Sequence, residues 1–154
     1  MTIVSRRGSI AAPPHDVWAV LADFGAINSW APNVDHSCLL AEQRSGVGTR
    51  RRIQAGRTTL VETVTEWTPP VDDAPGAMAY TLEGLPKVVH SVTNRWQLTP
   101  TGSGTAVMLT STVDAGSRLP QKAIAWVVAR KLASASDEMI AGLTSHIAAT
   151  EKNT

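Results

Sequence analysis

Two periods divide the chain. Apolar and polar residues alternate through most of the first two-thirds, the mark of half-buried strands. An apolar residue at every third or fourth position marks the last third as helix. Ile3 to Ala11 reads as the first strand. Pro13-Pro14-His15-Asp16 ends it and opens a helix, because proline fits a first helical turn and Asp16 suits the positive helix N-terminus. Val17, Trp18, Leu21 and Phe24 recur at helical spacing. Gly25 interrupts, a second short helix is predicted over Ala26 to Trp30, and Pro32 ends it.

Strands follow. Val34 to Glu42, Gly48 to Gln54 and the long Arg57 to Trp67, rich in Thr and Val, are separated by turns at Arg44-Ser45-Gly46 and Ala55-Gly56. Pro69-Pro70 and the loop Asp72-Asp73-Ala74-Pro75-Gly76 come next. Met78 to Glu83, Val88 to Leu98 and Thr105 to Asp114 complete the set, joined at Gly84-Leu85-Pro86 and Gly102-Ser103-Gly104. Strands at this spacing predict a meandering antiparallel sheet. In the predicted helix Leu119 to Ile147, residues Ile124, Val128, Leu132, Ala135, Met139, Leu143 and Ile147 form one apolar face. Such a helix is about 40 Å long and needs a large partner surface, for which the sheet is available. The expected fold class is α+β in the order β-αα-β6-α.

Composition narrows the picture. The chain of 154 residues predicts a single domain, 1–154, large enough to need no metal or disulfide. Hydrophobic residues at 43% against 18% charged argue against disorder. A net charge of +1 argues against a dedicated nucleic-acid binder. The lone Cys38 excludes an intrachain disulfide and a multi-cysteine zinc site, and reads as a small buried hydrophobe. The N-terminus lacks a signal-peptide h-region, and no apolar run approaches the roughly 20 residues of a membrane span. A cytoplasmic location is expected, with no cofactor. His15, His36, His90 and His146 lack metal-ligand spacing, and no metal is expected. Gly102-Ser103-Gly104 is a turn rather than a nucleophile elbow, and Gly46-Val47-Gly48 is too short for a dinucleotide loop.

The segment Ser9-Ile10-Ala11-Ala12-Pro13-Pro14-His15-Asp16-Val17-Trp18 resembles the opening of the SRPBCC (START-like, helix-grip) superfamily. Leu21-Ala22-Asp23-Phe24, Trp30-Ala31-Pro32, Gly46-Val47-Gly48-Thr49-Arg50, Glu62-x-Val64-x-Glu66-Trp67-x-Pro69-Pro70 and Gly104-Thr105-Ala106-Val107 are similar to its later landmarks, in order over nearly the whole chain. The polyketide cyclase/dehydrase-like group is the best match. The resemblance implies a curved seven-stranded antiparallel sheet wrapped around a long C-terminal helix, with a cavity between them.

Strand alternation then assigns side chains to that cavity. Val88, His90, Val92, Asn94, Trp96 and Leu98 form the more apolar face of their strand and are placed inward. Met78, Tyr80 and Leu82 are placed inward on theirs, and Thr49, Arg51 and Ile53 on another, which splits Arg50-Arg51-Arg52 between two faces. On Arg57 to Trp67 the inward set is Leu60, Glu62 and Val64, with Thr59, Val61 and Thr63 as the alternative if a bulge flips the register. The helix contributes Val128, Leu132, Ala135 and Met139. Candidate ligand contacts are therefore Arg51, Glu62, Tyr80, Leu82, His90, Asn94, Trp96, Val128, Leu132, Ala135 and Met139, an apolar lining with a few polar groups. Buried Arg51 and Glu62 are expected to pair, and Asn94 needs a partner from water, a neighbour or a ligand.

Three functions fit. The first is a carrier or sensor of a hydrophobic small molecule such as a lipid, quinone or polyketide-like aromatic. The second is a cyclase, aromatase or dehydratase acting on a poly-β-keto chain, with Arg51, Tyr80 and His90 as the groups for enolate stabilisation and proton transfer. The third is an interaction module of the co-chaperone kind, whose partner would be a protein.

Overall fold

The computed structural model describes residues 1–152; the last two residues of the expected domain lie outside the described residues. Strands β1 (Thr2–Ile10), β2 (His36–Leu39), β3 (Arg50–Ala55), β4 (Thr58–Thr68), β5 (Gly76–Glu83), β6 (Ser91–Thr101) and β7 (Gly104–Asp114) form one antiparallel sheet in the order β1-β7-β6-β5-β4-β3-β2. Helix α1 (Pro14–Ala22) and a 3-10 helix (Phe24–Ser29) lie between β1 and β2, and α2 (Leu119–Lys152) closes the order. This is the helix-grip arrangement expected. Among the described residues, no helix is long and apolar enough to cross a membrane.

Several boundaries differ from the sequence reading. The turn after β5 runs further than Pro86: Val89 N donates to Pro86 O at 2.9 Å, so Val88, Val89 and His90 precede β6. His90 is exposed there rather than inward, its backbone N bonded to Asp114 O at 2.7 Å. The strand expected over Val34 to Glu42 shrinks to four residues, His36–Leu39, and its last tie to β3 is Leu40 N donating to Arg50 O at 3.1 Å. Cys38 is exposed rather than buried, because on this edge strand Ser37 and Leu39 take the more buried face.

On β4 the inward set is Leu60, Glu62 and Val64, as favoured, and Glu62 and Val64 are buried. A register shift between Val64 and Glu66 then reverses the alternation. Trp67 turns toward Trp18 of α1, with ring centroids 5.2 Å apart, edge to face. Glu66 lies in register with Ala79, as does Arg95 from the opposite side, and the two charged groups pair across it at 2.8 Å. Edge-to-face contacts also join Phe24 to Tyr80 and Trp30 to Trp96, at 5.6 and 6.0 Å. The two short helices are thus bolted to the sheet by aromatic rings.

Helix α2 makes its main sheet contacts with β1 and β7. Its most buried line is Ala125, Ala129, Ala133, Ser136, Ile140, Leu143 and Ile147. The predicted face shares only Leu143, Ile147 and Met139 with the buried set. Val128 and Leu132 are half-buried, as are Ile124 and Ala135. Small residues win the closest position because the helix lies against the sheet: a Cβ at Gly8 of β1 would come within 2.5 Å of Ile140 Cγ2. The larger Val128 and Leu132 sit beside that seam, where helix and sheet diverge.

Candidate functional site

The divergence of α2 from β3, β4 and β5 leaves a cavity of about 820 Å³. Its walls come from several places. The 3-10 helix and the following loop supply Ile27, Asn33 and Val34; β3 supplies Ile53 and Ala55; β4 supplies Thr58 to Leu60 and Glu62. Leu82 of β5, Asn94 of β6 and the loop Gly84 to Lys87 close one side, and Val128, Lys131, Leu132, Ala135 and Met139 of α2 close the other. Arg57, in the turn between β3 and β4, completes the lining.

Of the residues picked from sequence, Glu62, Leu82, Asn94, Val128, Leu132, Ala135 and Met139 meet at this cavity. Arg51, Tyr80 and Trp96 do not line it; they are buried as a layer behind the wall. His90 lies outside it, exposed just before β6. Sequence reasoning misses Asn33, Arg57, Lys87 and Lys131. Arg57 and Lys87 sit at turns that carry no signal of a site, and their relation to Lys131 is visible only when the three elements are brought together.

The polar groups behind the wall are already engaged. Arg51 and Glu62 are paired residues on β3 and β4, and Arg51 Nε donates to Glu62 Oε1 at 2.7 Å. Arg51 Nη1 donates to Phe24 O at 2.9 Å. The guanidinium stands 3.7 Å from the Phe24 ring centre and 4.8 Å from that of Tyr80, where the π faces compensate its desolvation further. Trp96 Nε1 donates to the Tyr80 hydroxyl at 3.2 Å, and Ser111 Oγ donates to Asn94 Oδ1 at 2.6 Å. Burial pushes the Tyr80 hydroxyl above its ordinary pKa and the Glu62 carboxylate adds to this; Arg51 and hydrogen bonds from Trp96 and Asn94 act in the opposite direction. Tyr80 is thereby kept a neutral hydroxyl. Among the described residues one buried side-chain atom of the wall is unengaged: Asn33 Oδ1 has no hydrogen-bond partner.

A curved antiparallel sheet gripping a long C-terminal helix, with an apolar cavity between them, is the helix-grip fold. The polyketide cyclase/dehydrase and lipid transport family matches residues 1–148, and the chain belongs to that family. The fold is shared with a protein of Thermus thermophilus at 21% identity and a TM-score of 0.74, over 97% of this chain and 99% of that one. It is shared with the Zhui aromatase/cyclase of a Streptomyces species at 18% identity and a TM-score of 0.74, over 95% and 93%. A START superfamily protein of Mycobacterium smegmatis matches at 16% identity and a TM-score of 0.68, over 99% of each chain. At these identities the likeness is one of fold. No protein of curated function matches the sequence. Membership of the family points to hydrophobic ligand binding or to cyclase chemistry.

Proposed function

We propose that the protein is a single-domain cytoplasmic carrier or sensor that holds a hydrophobic small molecule in the cavity between α2 and strands β3 to β5. The observation that carries this reading is a large, mainly apolar cavity whose buried titratable neighbours, Arg51, Glu62 and Tyr80, are tied to the protein rather than free for chemistry. A cavity of about 820 Å³ falls within the range of small-molecule sites. Leu82, Val128, Leu132, Ala135 and Met139 provide the apolar contact, and Glu62 and Asn94 are the polar groups nearest the bound molecule. Arg51, Tyr80 and Trp96 act through the wall, holding Glu62, Phe24 and one another in place. The ligand classes are lipids, quinones and polyketide-like aromatics.

A second reading, cyclisation or dehydration of a polyketide chain, draws on the family and on the likeness to an aromatase/cyclase. Glu62 is the wall residue suited to move a proton, but one of its oxygens accepts from Arg51. Tyr80 and His90, the other acid–base candidates, are outside the cavity lining. The carrier reading needs no free catalyst and is preferred for that reason.

Native mass spectrometry of the purified protein, followed by organic extraction, tests the reading. The expected result is a discrete added mass that extracts as an apolar molecule, or one that appears on adding a lipid, quinone or aromatic polyketide. A bare mass that none of these shifts overturns it.

A further inference from the structure

The cavity is apolar within and cationic at its mouth. Arg57 comes from the β3–β4 turn, Lys87 from the β5–β6 loop and Lys131 from α2, so three separate elements each bring one cation to the same lining. All three residues are exposed. Among the described residues, none of them forms an ion pair or a side-chain hydrogen bond. Elsewhere Arg6, Arg51 and Arg95 each pair with a carboxylate. The carboxylate on the cavity lining, Glu62, is buried and bound to Arg51. Converging cations repel one another unless an anion sits among them. An anion pushed deep into the cavity would lose its hydration against apolar walls and face the Glu62 carboxylate, which is costly. The same anion left at the mouth keeps water on one side and meets three positive groups.

Resting on the binding role proposed above, we infer that the ligand is an amphipathic acid: an apolar body with one terminal anionic group, inserted apolar end first, its acid held by Arg57, Lys87 and Lys131. A neutral molecule of the same shape binds more weakly. The orientation also leaves the body of the ligand beside Asn33, whose side-chain oxygen is the unpartnered acceptor on the wall. A hydroxyl on the body would donate to it.

Two dyes with one aromatic body test this. 8-Anilinonaphthalene-1-sulfonate carries an anionic group; N-phenyl-1-naphthylamine is the same molecule without it. Dissociation constants for both are read from fluorescence titrations of the whole protein, in low and in high salt. Both dyes are expected to bind, the sulfonate the more tightly, with its advantage shrinking as salt rises. In the triple variant R57Q/K87Q/K131Q, sulfonate affinity should fall roughly threefold or more, since each exposed ion contact is worth a factor of about 1.4 to 5. The neutral dye should hold its affinity in that variant. A control, R44Q/R50Q/R52Q, removes the same charge from exposed residues off the cavity and should leave both affinities in place. Equal affinity for the two dyes, or an equal loss in control and test variants, overturns the inference while leaving the cavity reading intact. Failure of both dyes to bind, or binding that survives Leu132→Trp at the cavity wall, overturns the cavity reading and the inference with it.

Discussion

Arg51 Nε lies 2.7 Å from Glu62 Oε1 on the neighbouring strand, and both side chains are at most 4% exposed. Removing one partner strands the other charge away from water. Glu62→Ala or Arg51→Ala is expected to cost about 3–5 kcal/mol, read from urea unfolding. The double replacement R51M/E62L should recover most of that loss. If either single alanine variant is as stable as the parent, the pair is not a closed structural unit.

Tyr80 is the one tyrosine in the chain, so absorbance at 295 nm follows a single phenol. Its pKa is raised from 10.0 by burial. The unfolded chain therefore releases this proton first as pH rises past about 10, and the folded protein retains it. Folded stability from this group is complete below that pH and is lost as pH climbs toward the folded pKa. Phenolate absorbance should appear together with unfolding rather than before it. Tyr80→Phe should flatten the alkaline decline, while costing about 1–3 kcal/mol at neutral pH because Trp96 Nε1 loses its acceptor. Ionisation of Tyr80 at pH 10 with tertiary structure intact would contradict this.

Ala135 faces the cavity from α2 and is half-buried. Ala135→Leu extends a wall into open space, so stability should stay within about 0.5 kcal/mol of the parent. Affinity for a fitted apolar ligand should fall roughly tenfold or more, the scale on which a pocket discriminates added methylenes. Unchanged affinity would place the ligand elsewhere.

Gly8 lies under Ile140, with no room for a methyl group. Gly8→Ala should destabilise by about 1–3 kcal/mol through overpacking of the α2 seam. Ile140→Ala removes the obstructing Cγ2. The double variant G8A/I140A should then lose less than the sum of the two singles, by at least about 0.5 kcal/mol. Strict additivity would show that helix and strand separate without strain.

Much of the fold can be read from spacing. Alternation identifies β4, β5 and β6, and it places Glu62, Leu82 and Asn94 on the face that meets the cavity. It also faces Arg51, Tyr80 and Trp96 inward, but direction is not depth: rings from Phe24 and Trp30 cover these residues before a ligand can reach them. His90 escapes because its strand begins at Ser91 rather than Val88, and alternation says nothing about where a turn ends. On α2 the larger apolar residues dominate the pattern, whereas the most buried line carries Ala125, Ala129 and Ala133, since a tight seam selects for small volume. The cationic mouth is illegible for another reason. Arg57, Lys87 and Lys131 are far apart in sequence, and no local pattern joins a turn, a loop and a helix.

The off-centre seat of α2 divides the molecule mechanically. Amides of β7, flanked by β1 and β6 and capped by the helix, can be exposed only by dismantling the core. Amides of β2, a four-residue edge strand on the cavity's side of the sheet, can be freed by a much smaller fluctuation. Hydrogen exchange in deuterated water should therefore be slow on one flank and fast on the other. A guest in the cavity would add contacts to β3 and β4, the strands that hold β2 to the sheet, and so should slow exchange on the fast flank.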